Sequence, residues 1–183
     1  ALRNLERLAA ASGDRIAFLK MLCQNLAAAQ SLAYLLGTSP FLADAAVRNP
    51  EVLGWLMAPA TLVEEKPRSE TEGELRQRVA VCGTWEEKLN ALRRYKRREM
   101  LRIGARDLAG LADVATTMRE LTRLAEASLQ LALEMSEAEL SGRERAPGAA
   151  LAIIGLGKLG GEELHYSSDL DVTFVFDDAV GEQ

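Results

Sequence analysis

The 183 residues carry 48% hydrophobic and 27% charged side chains, the balance of a soluble globular protein with one core, or with one core and the start of a second. The net charge of −5 argues against a general nucleic-acid binder, which needs a positive surface, and no apolar run approaches the roughly 20 residues that span a bilayer. Aromatics are only 5% beside abundant alanine and leucine, a mixture that suits packed helices and not an all-β core. Cys23 and Cys82 stand far apart and His165 is the single histidine; this excludes a zinc site and fits reduced, partly buried thiols in a cytoplasmic protein. The opening Ala1-Leu2-Arg3-Asn4 has no signal-peptide pattern and no initiator methionine, so the chain is expected to be a piece of a longer one.

Leucines at 2, 5 and 8 predict a helix over 1–11, ended by Ser12-Gly13. Asp14 caps a second, whose apolar positions recur at three- and four-residue steps up to Gly37. Ser39-Pro40 then offers a hydroxyl to orphan N–H groups and a proline at the first helical position, opening a helix over 41–48. Asn49-Pro50 stops it and begins another through Met57. Residues 58–73, rich in proline and glutamate, read as a solvated connector, and a helix follows to Cys82-Gly83. Thr84-Trp85-Glu86-Glu87 is a capping box that opens a long helix to about Leu108. Gly110 breaks that helix, Asp113 caps the next, over 114–140, and 141–148 has the composition of a linker. The character then changes. The apolar run 149–156 around Ile153-Ile154, bounded by glycines, reads as a buried strand, and the β-branched and aromatic Val172–Phe176 as a second strand. The expected fold is helix-dominated α+β: a multi-helix region over 1–146, then the opening β-α-β of an incomplete α/β domain over 147–183.

Chemistry concentrates in 153–176. A glycine-rich turn, Gly155-Leu156-Gly157-Lys158-Leu159-Gly160-Gly161, follows the first strand, so bare backbone can approach an anion and a helix start would add its positive end. Asp169 and Asp171 open the second strand, where alternation would place both carboxylates on one face about 6.6 Å apart. Two carboxylates beside a phosphate cradle suit Mg²⁺, which takes hard oxygen ligands and assists in-line displacement at phosphorus. Gly155-x-Gly157-x-x-Gly160, with Asp177 further on, also fits the fingerprint of an NAD(P)-binding module. That fold needs a crossover helix in a unit of about 30 residues or more, and the next strand arrives too soon. The ATP-binding P-loop fails because Leu159 follows Lys158. A noncatalytic helical scaffold, with the aspartates merely at a strand junction, is the remaining rival.

The hydrophobic–glycine turn followed after about ten residues by Asp-x-Asp resembles the DNA polymerase beta-type nucleotidyltransferase superfamily. The string Gly157-Lys158-Leu159-Gly160-Gly161-x-Glu163-Leu164-x-Tyr166-x-Ser168-Asp169-Leu170-Asp171 looks like the signature of glutamine-synthetase adenylyltransferase. The text from Leu92-Arg93-Arg94-Tyr95 through Asp107-Leu108 is similar to the segment that precedes it in that family, so the resemblance spans most of the chain. It implies a cytoplasmic bacterial enzyme with two homologous halves. One removes AMP from a tyrosine of glutamine synthetase by phosphorolysis, giving ADP, and the other attaches AMP from ATP. The Tyr166-Ser167-Ser168 wording and the helical leader look more like the removing, N-terminal half. The resemblance further implies Mg²⁺ on Asp169 and Asp171, phosphate at Gly157 and Lys158, and the PII signal protein as a partner of the whole enzyme. Lys158 stands where the wider superfamily has serine, so it would meet phosphate by charge. Ser168 would orient the first aspartate or cap the turn, and His165 and Glu163 are read as structural. The third carboxylate of the superfamily lies on a later strand, and Asp177 and Asp178 come too soon to fill it. The 183 residues alone are thus expected to be inactive and to bind Mg²⁺ weakly.

One helix carries Arg93, Arg94, Lys96, Arg97, Arg98, Arg102 and Arg106. Arg94, Arg98 and Arg102, four residues apart, would line up toward the nucleotide, or the cations would form a solvated face beside Glu86, Glu87 and Glu99.

Overall fold

The computed structural model describes residues 1–56, 61–62, 64–140 and 151–176. They divide into two compact units, Ala1–Glu65 with Arg93–Thr117 and Lys66–Leu92 with Met118–Gln183. The boundary expected near residue 146 and the linker before it lie outside the described residues.

In the first unit α1 (Leu2–Ala11) ends at Ser12, and Asp14 accepts from the amides of Ile16 and Ala17 at the start of α2 (Arg15–Gln24). The single helix expected from 14 to 37 is two. Asn25 leaves the helical region (φ −136°, ψ 84°) and α3 (Leu26–Thr38) starts beyond it; asparagine offers the backbone local hydrogen bonds that compete with the helix. The Ser39 hydroxyl caps α4 (Pro40–Arg48) by accepting from Leu42 N–H. A 3₁₀ turn (Pro50–Val52) and the short α5 (Leu53–Leu56) follow. The core joins Leu8, Leu35, Leu36, Leu42, Leu53 and Leu101.

α6 (Arg68–Ala80) begins well inside the span read as a connector. Its start is held by Pro67, by Glu70 in the first turn and by the Arg68–Glu72 pair at 2.8 Å. Thr71, Leu75 and Val79, four residues apart, bury one face of an otherwise charged helix. α7 (Trp85–Leu108) opens with the reciprocal box: Glu87 N–H donates to the Thr84 hydroxyl, and Thr84 and Gly83 N–H donate to the Glu87 carboxylate. Asp113 caps α8 (Val114–Leu140) through Thr116 N–H. Within the second unit α6 is tied to α8 by Arg76, bidentate to Glu134 at 2.8 and 2.9 Å, and by Arg68 to Glu126 at 3.1 Å.

β1 (Leu151–Gly155) and β2 (Val172–Phe176) pair with Leu151 opposite Phe176 and Gly155 opposite Val172. The pairing is antiparallel, and the β-α-β order expected from the sequence holds with only a short helix between the strands. An antiparallel pair closes through a turn and needs no crossover; the connection holds only the one-turn α9 (Gly157–Gly160). The first strand was expected to be buried, yet its Leu151 and Ile154 are exposed, as are Phe174 and Phe176 of β2, which no described element covers. Cys23 is likewise exposed and Cys82 half-buried, both as free thiols.

Two consequences can be measured. Gly104 of α7 presents bare backbone to α4: a β-carbon there would lie 2.5 and 2.7 Å from the two Leu42 methyls, and Leu42 is buried. Gly104→Ala raises helix propensity, but overpacking outweighs it, and chemical denaturation should show a loss of about 1–2 kcal/mol. Separately, the bonds from Thr84 N–H first and Gly83 N–H second hold the Glu87 carboxyl below its ordinary value of 4.5. Because the folded-state value is the lower one, the cap is fully formed above 4.5 and is lost as pH falls through the depressed value. Amide exchange at Gly83 and Thr84, corrected for intrinsic rates, should accelerate only in that acidic range.

Candidate active site

The glycine turn is built by close approach of backbone to backbone. α9 folds back on the end of β1 so tightly that a β-carbon at Gly160 would lie 2.7 Å from the Gly155 carbonyl oxygen. One at Gly155 would lie 2.8 Å from Leu159 Cγ. Gly157 is needed twice over: its φ of +52° disfavours any side chain, and its missing β-carbon would stand 2.8 Å from Asp171 Oδ2. Leu159 and Leu164 are buried and anchor the turn from within. The positive helix end expected there contributes little, since a four-residue helix has almost no macrodipole.

Asp169 and Asp171 both precede β2, which begins at Val172. Leu156 N–H donates to the Asp171 carbonyl at 2.8 Å, extending the ladder register by one pair, whereas Asp169 lies in the non-strand approach to it. Simple strand alternation therefore does not set the spacing of the two carboxylates. Both are exposed, and Asp171 is placed against the glycine turn by Gly157. Among the described residues no group of three His, Cys, Asp or Glu side chains gathers as a metal site; Asp177 and Asp178 lie outside them.

Lys158 points its ammonium at His165 Nε2, 2.8 Å away. His165 Nδ1 faces the Ser167 hydroxyl and amide, both at 3.3 Å. The Ser168 hydroxyl accepts from His165 N–H and Ser168 N–H donates to the His165 carbonyl, each at 3.0 Å, which closes the turn over 165–168. Nothing in the sequence pairs Lys158 with His165, because seven intervening bonds of an irregular turn carry no periodicity.

The arginine row resolves differently from residue to residue, all within the first unit. Arg94 is exposed. Arg98 stacks over Trp55 at 4.3 Å and meets Glu99 at 3.2 Å. Arg102 is buried and bonds Glu99 at 2.7 Å, while Arg106 donates to the Leu62 carbonyl. Two of the three aligned cations thus converge on one buried carboxylate.

Gly157→Ala tests the geometry of the turn. The positive φ and the clash with Asp171 should together lower stability by about 1–2 kcal/mol and shift the carboxyl ¹³C resonance of Asp171. An unmoved Asp171 signal in a folded variant would contradict the close approach.

Comparison with known proteins agrees with this signature. Residues 29–183 match the family model described as glutamate-ammonia ligase adenylyltransferase. The chain is also similar to the bifunctional glutamine synthetase adenylyltransferase/adenylyl-removing enzyme of Mycobacterium leprae (strain TN), 37% identical over 182 residues. The match covers 96% of this chain and 18% of that relative's length. With a family model across most of its length and a signature whose glycines and aspartate meet in space, the chain belongs to the glutamate-ammonia ligase adenylyltransferase family.

Proposed function

We propose that the glycine turn, Lys158 and the Asp169/Asp171 pair form part of the nucleotide site of an enzyme that controls glutamine synthetase by adenylylation and deadenylylation. The observation that carries this reading is the Asp171 carboxylate set against the bare backbone of Gly157 beside Lys158. The reaction assigned to this half is removal of AMP from a tyrosine by phosphorolysis, with release of ADP. The Tyr166-Ser167-Ser168 wording supports that direction, and the M. leprae relative is named for both activities. ATP, ADP, AMP and phosphate are the small-molecule partners, and PII is the proposed regulator of the whole enzyme, which is proposed to be cytoplasmic. No described helix is long and apolar enough to cross a membrane.

The donor set fits Mg²⁺, which commonly takes one or two carboxylates and completes its shell with water and substrate phosphates. Asp169 and Asp171 would hold it, and when bound it would neutralise charge on the phosphoryl oxygens. The chain's own groups do the remaining work. Lys158 offers an ammonium that can donate to a phosphate oxygen. Gly157 leaves backbone uncovered where a side chain would obstruct an anion. The two carboxylates repel a bare phosphate, so they admit it chiefly as a divalent-cation complex. The arginines of α7 are not required for this reading, two of them being committed to Glu99.

Mn²⁺ serves as a paramagnetic probe of the magnesium site. In the 183-residue chain it should broaden the amide signals of residues 157–158 and 169–171 at millimolar concentration. Asp171→Asn should abolish that broadening, and EDTA should weaken ADP binding about tenfold or more. The same chain alone should release no AMP from adenylylated glutamine synthetase. Broadening that survives Asp169→Asn and Asp171→Asn together would favour the scaffold reading.

A further inference from the structure

We infer that His165 is a positioning residue: its imidazole holds the Lys158 ammonium in place for an incoming phosphate without neutralising it. The inference rests on the proposed contact between Lys158 and nucleotide phosphate.

The short contact to Lys158 sets the tautomer of His165. An ammonium can only donate, so at 2.8 Å Nε2 must be the acceptor. The ring proton then falls on Nδ1, where the Ser167 hydroxyl at 3.3 Å can accept it; the 2.8 Å contact to Lys158 thereby outweighs the longer 3.3 Å bond that the Ser167 amide would otherwise donate to Nδ1. The backbone beneath the ring is fixed on both sides by Ser168, through the bond from His165 N–H and the bond to its carbonyl. A flexible four-carbon lysine is therefore tethered at its tip to a ring tethered at its base.

The chemistry of the tether matters. Among the described residues the ammonium has no carboxylate partner, although the turn is rich in acids: Glu162, Glu163, Asp169 and Asp171 all lie within it. A carboxylate at 2.8 Å would cancel the charge that attracts phosphate, whereas a neutral imidazole occupies one of three N–H donors and leaves the charge and two donors free. Ordering a rotamer-rich side chain before the ligand arrives removes part of the entropic cost of binding. Lys158 and His165 are both exposed, so the pair adds little to the stability of the fold; its benefit falls on binding.

The test uses the full 183-residue chain and Mg·ADP, with affinity followed by NMR titration and thermal unfolding as the control. His165→Leu should raise Kd about two- to tenfold, the range expected for releasing one long side chain, without changing the melting temperature. His165→Gln, whose carbonyl oxygen reaches close to the place of Nε2, should restore affinity to within about twofold. Imidazole ¹⁵N spectra of the unsubstituted chain should show the Nδ1–H tautomer. Lys158→Ala separates the phosphate contact from the positioning role. If it leaves Kd unchanged, the phosphate contact itself fails. If it weakens binding while His165→Leu does not, or if Gln fails to rescue, the contact stands and the positioning role is overturned.

Discussion

The carboxylate of Asp171 lies only 2.8 Å from where a β-carbon of Gly157 would be, and much of the second unit's irregular chemistry follows from that exclusion. Because Gly157 yields the space, the chain returning from Leu164 can come in close enough for the Asp171 carbonyl to accept from Leu156 N–H. That bond sets the antiparallel register, and the register brings Phe174 opposite Ile153 and Val172 opposite Gly155. The same approach keeps α9 to a single turn, since its end packs on the Gly155 carbonyl and allows no longer helix in that direction. A side chain at any of the three glycines would move an acid, a strand or the lysine between them.

The first unit obeys a different constraint. Glu99 is almost wholly buried and would be costly there alone. Arg102 meets it from the next turn of α7, and Arg98 meets it while lying over the Trp55 ring. The cluster thus joins α7 to α5 through charge and aromatic surface together. Its member cations are not interchangeable with lysine, because a planar guanidinium can stack and bond at once. Gly104, one turn beyond Glu99, brings the same helix against Leu42. A long polar helix is held in an apolar unit by one satisfied carboxylate and one missing side chain.

The parts of this arrangement that a sequence displays are those governed by neighbours. Ser39-Pro40, Asp113 and the Thr84/Glu87 box act within one turn of helix, and each cap forms as its residue types dictate. The helix over 68–80 was hidden because its buried stripe is only Thr71, Leu75 and Val79 amid charges, and its proline-led start resembles a linker. The break at Asn25 was hidden for the opposite reason: apolar periodicity continues across it while the backbone does not. The cations of α7 could be counted but not sorted, since the burial of Arg98 depends on Trp55, which is distant in sequence. Direction of strand pairing, the exposure of Phe174 and the Lys158–His165 contact depend on where the chain returns, and no local pattern encodes that.

The glycine spacing fits two unrelated ligand classes. In Gly155-x-Gly157-x-x-Gly160 each glycine is accounted for by the chain itself: one makes room for Leu159, one for Asp171 with a positive φ, and one for a carbonyl of the preceding strand. A dinucleotide fold asks the same of its glycines, namely a tight turn and a helix pressed to a strand. The spacing therefore reports how closely strand and helix pack, and says little about which anion they serve. What separates the alternatives is the length and content of the return. Here the next strand arrives after one helical turn, runs antiparallel to the first and is entered through Asp169 and Asp171. A parallel partner with a full crossover helix would carry its acid at the carboxyl end of the second strand, where it meets a ribose hydroxyl, and would leave the entrance of that strand at the opposite end of the sheet. The short antiparallel return instead delivers Asp171, at the entrance of its strand, onto the glycine backbone, and the proposed metal-bound nucleotide would draw on that proximity.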